Sequence, residues 1–383
     1  MRQSNFKFIF LMGLVSGTLN SIVMKLAYQT AAHGCDVSEI HYFHKPWFMS
    51  LVMFLAMLCA LPMYYLSRGY RPLAWKTWLS VSIPSVCDLL GSSMQQVGLI
   101  FTPVSVFQML KGSILLFSAA LSVWFLNKRM YLHNWVGVSL CMIALILVGI
   151  SSVMSVDEQP VVVSLWEALF GITIVVLGQV ICASQYVVEE YLLKPPNDVA
   201  PMAMVGMEGV WGSLLMAGLI LPVFQFVIPG SDVGKVYENS TDALAMIGNS
   251  LSLQTLITVC FVSILIYNVC GVMVTQQASA VHHTFLDATR TIFVWMASVA
   301  VFYHPGTGRS FGEPLTAWSG LQLLGFVILL IGESVYDGLL RLPCLAQYPR
   351  DPRMSPIRIP SMASPPYGYE ATTCDDSLKQ SLL

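Results

Sequence analysis

Apolar residues run through most of this chain in blocks longer than a water-soluble fold uses. Crossing a bilayer takes about 20 consecutive apolar residues as a helix. Ten blocks of that kind are predicted, at 6–27, 47–66, 78–100, 104–126, 134–154, 164–188, 203–228, 254–276, 282–303 and 315–339. Turn-forming residues part them: Arg68 to Pro72, Thr102-Pro103, Pro195-Pro196, Pro229-Gly230 and Pro305-Gly306. The polar run Met1 to Asn5 leads straight into the first block, which predicts a retained anchor rather than a cleaved leader. Beyond Arg341 the pattern stops. Residues 341–383 are rich in Pro, Ser and charge and are predicted to be a disordered cytosolic tail.

The blocks repeat. CDLLGSSMQQVGL from Cys87 in the third resembles YNVCGVMVTQQASA from Tyr267 in the eighth. Asp88 then corresponds to Asn268, Gly91 to Gly271, and Gln95-Gln96 to Gln276-Gln277. MLKGSILLFSAALSV in the fourth corresponds to DATRTIFVWMASVAV in the ninth, which sets Lys111 opposite Arg290. Five spans per repeat is an odd number, so the second repeat inserts upside down. The expected fold is an all-α polytopic membrane protein of ten transmembrane helices. These form two inverted five-helix repeats, 1–155 and 156–340, the arrangement of secondary transporters, whose sites lie at the repeat interface.

Polar residues inside the spans mark the candidate site. Positions three or four apart share a helix face. Asp88 lies on such a stripe in span 3, Gln108 and Lys111 in span 4, and Gln179, Gln185, Tyr186 and Glu189 in span 6. Asn268 lies on one in span 8, Asp287 and Arg290 in span 9, and Asn20 in span 1. A cation at the centre of a membrane helix costs about 2.5–3.5 kcal/mol on insertion scales. Lipid cannot satisfy these groups, so they are expected to line a wet central cavity. Lys111 and Arg290 would bind solute, and Asp88 and Asp287 would tune them. Asn20, Gln108, Gln185 and Asn268 would supply neutral hydrogen bonds. The bland alternative has Asp287 neutralising Arg290 at i,i+3, Lys111 pairing with Asp88, and the Gln residues joining helices. Glu208, beside Gly206 and Gly209 in span 7, is read either as a coupling carboxylate or as a group near a span end. Spans 5 and 10 are nearly free of polar groups in their middles and are expected at the periphery, facing lipid or a second copy in a homodimer.

Composition agrees. Of 383 residues, 56% are hydrophobic and 10% charged, against about 25% charged in soluble domains. A net charge of −2 argues against a nucleic-acid partner. With both termini cytosolic, thirteen Lys and Arg fall inside and only Lys45, Lys235 and Arg309 outside. The sequon Asn239-Ser240-Thr241 then lies outside, making Asn239 a candidate glycosylation site. The nine Cys show no CxxC pair, and His33, His41 and His44 lack metal-ligand spacing and are expected to be solvated. No HExxH, GxGD or GxSG motif supports an enzyme, and His282-His283 is a poor substitute. No cofactor is expected.

Six stretches carry a resemblance: PSVCDLLGSSMQQVGL, SVFQMLKGSILLFSAALSVWFLNKRM, GQVICASQYVVEEYLLKP, GMEGVWG, FLDATRTIFVW and LQLLGFVILLIG. Together they resemble the drug/metabolite transporter superfamily, and within it the F branch of solute carrier family 35, from about Gly17 to Gly338. The resemblance implies a cavity lined by helices 1–4 and 6–9, with helices 5 and 10 outside. It implies that Lys111 and Arg290 occupy places where nucleotide-sugar carriers face phosphates, and it implies an endomembrane location (Golgi, lysosome or vacuole). The expected function is transport of a small anionic or zwitterionic organic solute, nucleotide-sugar-like compounds included, by alternating access. The rivals are an exporter of cationic or peptide-like solutes from an acidic organelle, and a non-transporting receptor or scaffold.

Overall fold

A computed structural model describes residues 2–35, 40–68, 73–101, 110–128, 130–155, 165–302, 315 and 318–340. The tail 341–383 and Gln108 lie outside the described residues. The described chain is almost entirely helical. α1 is Arg2–Tyr28, α2 Pro46–Leu58, α3 Ala60–Arg68 and α4 Trp75–Phe101. α5 is Ile114–Leu126, α6 Leu132–Ser155, α7 Leu165–Leu193 and α8 Pro201–Leu215. A π turn, Met216–Ile220, leads into α9 (Leu221–Phe226), followed by α10 (Ser240–Asn249), α11 (Leu251–Gln277), α12 (Ala280–Phe302) and α13 (Ser319–Tyr336).

Among the described residues, six stretches are long and apolar enough to cross a membrane by length and composition: Asn5–Tyr28, Pro46–Ser67, Leu169–Leu193, Pro201–Phe226, Leu251–Gln277 and Ser319–Tyr336. The other four expected spans overlap α4, α5, α6 and α12, which do not meet that measure of length and hydropathy. Breaks in the helices have local causes. Pro62 has no N–H for the Leu58 carbonyl, and the helix divides there into α2 and α3. Pro222 does the same to Gly218, inside the π turn. α5 stops at Asn127, which takes the left-handed conformation at φ 49°.

Two connections hold more structure than the apolar pattern signals. Between α1 and α2, strands β1 (Ala31–His33) and β2 (Ile40–Tyr42) pair antiparallel with Ala32 opposite His41. Between α9 and α11, the short helix α10 is capped by Asn239, whose Oδ1 accepts from the backbone N–H of Thr241 and Asp242.

The helices form one bundle. α4 packs on α7 and α8, α5 on α7 and α12, and α1 on α11 and α12. α2 packs on α8 and α11, and α6 packs along α13. Small residues let the axes approach: a Cβ added to Gly209 of α8 would come within 2.2 Å of the Leu58 backbone nitrogen of α2. Phe54, Met57, Leu89, Met204 and Met207 fill the space between α2, α4 and α8. Large apolar side chains stay exposed on the outward faces, among them Leu11 and Val15 of α1, Ile143 of α6, and Leu323 and Val327 of α13. A bilayer covers such a surface; water would not.

Candidate functional site

Asp287 collects partners from three helices. On α12 it precedes Arg290 by one turn, and Arg290 Nη2 lies 3.8 Å from its Oδ1. The Tyr267 hydroxyl of α11 donates to the same oxygen. The Tyr186 hydroxyl of α7 donates to Oδ2 at 2.9 Å. Arg290 also stands over the Tyr267 ring, 4.7 Å from its centroid, a cation–π contact. Gly17 of α1 leaves room for this pair: a Cβ there would come within 2.6 Å of the Tyr267 ring and 2.7 Å of Arg290 Cδ. Tyr186 is held from behind by His283, stacked on it at 4.1 Å with its Nδ1 3.1 Å from Thr275 Oγ1.

Lys111 sits just before α5. Its side chain is exposed and lies in the electrostatic field of Arg290, Asp287 and Cys182. The fold thus brings Lys111, Arg290 and Asp287 within electrostatic reach of one another, and the Asp287 carboxylate, beside Arg290, accepts two tyrosine hydroxyls.

The other residues singled out by the sequence divide. Asp88 of α4 accepts from Ser92 at 3.2 Å. Gln185 of α7 donates to Glu189 at 2.9 Å. Asn20 of α1 joins two helices, accepting from Cys260 Sγ at 3.1 Å and Ser263 at 3.4 Å, both on α11. Asn268 Nδ2 is buried without a hydrogen-bond partner. Asn239 is only 9% exposed and its Nδ2 donates to the Val233 carbonyl at 3.0 Å. A glycan on that nitrogen would have to displace this bond.

The sequence reading gave less weight to a second, acidic group. Glu189 of α7 and Glu208 of α8 are 1% and 2% exposed, and each feels the other or Asp88 electrostatically. Glu189 Oε2 and Glu208 Oε1 have no hydrogen-bond partner. Their signal in the sequence was a carboxylate inside an apolar run, the same signal that marked Asp287.

Charged clasps close both ends of the bundle. At one end Glu190 Oε1 bonds Lys128 and Lys194 at 2.5 Å each, and its Oε2 accepts the Ala280 N–H at 2.9 Å. Lys194 also donates to the Ala278 carbonyl at 2.6 Å. Burial pushes the Lys128 ammonium down to about 8. At the other end Lys45, 1% exposed, lies 2.5 Å from Asp232 and 3.0 Å from Asp242. Glu238 accepts the N–H groups of Trp47 and Phe48 at the start of α2, at 3.1 and 2.7 Å. Burial pushes its carboxyl up to about 7. His41 corrects the sequence reading: it is not simply solvated, because the β1–β2 ribbon brings its Nε2 within 2.8 Å of Asp242. Among the described residues no His, Cys, Asp and Glu group could hold a metal ion.

Cavities of about 380 Å³ and 350 Å³ open against α1, the first beside Phe10, His282, Glu333 and Asp337, the second beside Val15, Thr258 and Val262. Neither is lined by Lys111, Arg290 or Asp287.

A multi-pass helical membrane protein with cations gathered inside its bundle has the makings of a carrier, and residues 37–150 match the EamA-like transporter family. The chain belongs to solute carrier family 35. It is 32% identical over 366 residues to solute carrier family 35 member F6 of Homo sapiens, covering 89% of this chain and 91% of that protein. The same-named protein of Mus musculus is 32% identical over 353 residues, covering 88% and 90%. An uncharacterized protein of Schizosaccharomyces pombe is 27% identical, covering 73% and 79%. A solved crystal structure, 12% identical, superposes with a TM-score of 0.58 over 88% of this chain and 97% of that one, a likeness of fold alone.

Proposed function

We propose that this membrane transporter carries a small anionic or zwitterionic organic solute, nucleotide-sugar-like compounds included, by alternating access. We read it as a carrier rather than an enzyme or a scaffold. The observation that carries the reading is that Lys111 and Arg290 lie within electrostatic reach of each other and of Asp287, with Arg290 Nη2 3.8 Å from the Asp287 carboxylate. Two cations close together inside an apolar bundle are a place where an anionic group of a solute would be held.

The pattern of helix contacts supports two inverted repeats. Exchange α1 with α7, α2 with α8, α4 with α11, α5 with α12 and α6 with α13. The contact of α4 with α7 becomes that of α11 with α1, α5 with α7 becomes α12 with α1, and α4 with α8 becomes α11 with α2. All six contacts are present, and α2–α8, α5–α12 and α6–α13 map onto themselves. Rocking of one repeat on the other would break one charged clasp at a time. In this reading both termini are cytosolic, the Glu190 clasp is inside, the Glu238 clasp faces an endomembrane lumen, and the outer faces of α6 and α13 meet lipid or a second copy.

The test is uptake of a radiolabelled UDP-sugar, and separately of AMP, into liposomes carrying the purified protein. Lys111→Ala and Arg290→Ala should each lower sub-saturating uptake by about tenfold or more, the worth of one charge-assisted contact. Full-rate uptake in both variants would overturn the assignment. The acidic trio Asp88, Glu189 and Glu208 favours a second reading, export of cationic solutes. Flux of a cationic drug that outlasts both substitutions would favour it.

A further inference from the structure

We infer that Glu189 and Glu208, with Asp88 beside them, form a proton-binding site that couples solute movement to a proton. The inference rests on the transporter reading for its purpose but not for its test. Both carboxyls are essentially removed from solvent, at 1% and 2% exposure, and come from different helices. Each presents one oxygen to the interior with no hydrogen-bond partner: Oε2 of Glu189 and Oε1 of Glu208. An ionised carboxylate left so is among the most costly groups a fold can bury, whereas a carboxylic acid carries no net charge to desolvate.

The surroundings supply no substitute for the proton. α4 faces both glutamates with Asp88, Cys87 and Ser85, and Ser85 donates to the Glu208 backbone carbonyl rather than to its carboxyl. α12 adds Asp287, which Glu189 feels and which has His283 and Tyr267 of α11 as its own neighbours. α2 and α3 meet α8 with apolar Phe54, Leu58 and Leu61. On α7 itself, Gln185 donates once to Glu189, while Tyr186 serves Asp287. Glu190 holds Lys128 and Lys194. α5 brings Lys111, which sits in the field of Arg290 and Asp287. Among the described residues, four carboxylates (Asp88, Glu189, Glu208 and Asp287) thus lie near two cations, Lys111 and Arg290, and fully ionised this group would carry an excess of two negative charges. Protons on Glu189 and Glu208 cancel that excess and so favour the entry of an anion near Lys111 and Arg290. Loss of the protons returns the negative field and expels it. The proton moves between carboxyl oxygen and water, so nothing is oxidised or reduced.

The experiment uses the full-length chain in lipid nanodiscs with no solute. Infrared spectra taken across about pH 5 to 8 follow the C=O stretch of protonated carboxyl groups. Wild type should show this band titrating in two coupled steps from the glutamate pair, as two interacting sites do, on top of the separate contribution of Glu238. Glu189→Gln and Glu208→Gln should each lose part of its amplitude and one of the two coupled steps, and the double variant should lose both coupled steps and keep the Glu238 contribution. Gln matches the shape of a protonated Glu, so the variants should melt like wild type at pH 5 and above it at pH 8. A band that survives unchanged in the double variant, or a melting profile as pH-sensitive as that of wild type, overturns the inference. Because no solute is present, either failure leaves the carrier reading standing, and that reading falls only in the uptake assay.

Discussion

Glu189 and Glu190 are neighbours on one helix, yet they live in opposite chemistry. Glu190 is fully buried and fully satisfied, with two lysines on one oxygen and a backbone N–H on the other. Glu189 is just as buried but has one amide on one oxygen and nothing on the other. Successive residues on a helix point about 100° apart, so one carboxyl reaches the bundle end and the other the interior. The contrast separates a charge that closes the protein from one that has to be neutralised by something that comes and goes. Asp287 stands between them: both oxygens are bonded, but its cation is 3.8 Å away.

The comparison breaks hardest at Glu190. Glu190→Gln would strand two lysine cations, one of them 6% exposed, against a neutral amide. Removing one partner of a buried pair costs about 3–5 kcal/mol. Thermal unfolding in nanodiscs should therefore drop by several degrees, while Glu189→Gln at pH 5 should leave it unchanged. Equal losses in the two variants would mean that the neighbours do not differ as described.

Glu238 tests the same logic in the opposite clasp, outside the membrane-spanning helices. Its folded carboxyl is pushed up to about 7 by burial, against an ordinary 4.5, even though two backbone N–H groups favour the ionised form. The folded state then holds the proton more tightly than the unfolded chain, so stability is fully present below about pH 4.5 and is lost as pH rises to about 7. The full effect is at most about 3 kcal/mol. Asp242 adds nothing across this window, because its backbone and side-chain hydrogen bonds hold its carboxyl below the usual aspartate value. Melting should rise on acidification from about pH 7.5 to 5, and Glu238→Gln should flatten that slope. A wild-type slope that Glu238→Gln leaves intact assigns the effect elsewhere.

Much of this was legible in the sequence because a membrane imposes simple arithmetic. Apolar length located the helices, and the cost of charge in lipid drew notice to Lys111, Arg290, Asp88 and Asp287. What stayed hidden depends on partners distant in sequence. Tyr267 and Tyr186 read as ordinary interior aromatics until α11 and α7 turn their hydroxyls onto Asp287. Lys45, 1% exposed, read as a loop lysine because no pattern joins it to Asp232 and Asp242, nearly two hundred residues later. Asn20 read as a solute ligand, but both its acceptor contacts go to α11. Polarity inside a span shows that a group needs a partner; only the fold shows whether protein already supplies it.

Asn268 carries the smallest effect and the finest distinction. Like Glu189, it keeps a buried polar atom unbonded, here the Nδ2 amide, but it bears no charge. Leu has the same branched skeleton and number of side-chain heavy atoms and no donor to leave unsatisfied. If Nδ2 serves only the fold, Asn268→Leu relieves a desolvation cost, and stability stays level or rises by about 1 kcal/mol. If that amide waits for solute, the same substitution also raises the KM for the transported UDP-sugar or AMP, by several-fold for one neutral hydrogen bond, with little change in maximal rate. We expect both: unfolding unchanged or slightly higher, and weaker uptake. A variant that is more stable and transports at the wild-type KM would remove Asn268 from the site while leaving Lys111 and Arg290 in it. A destabilised variant would show that the amide has a partner in the membrane after all.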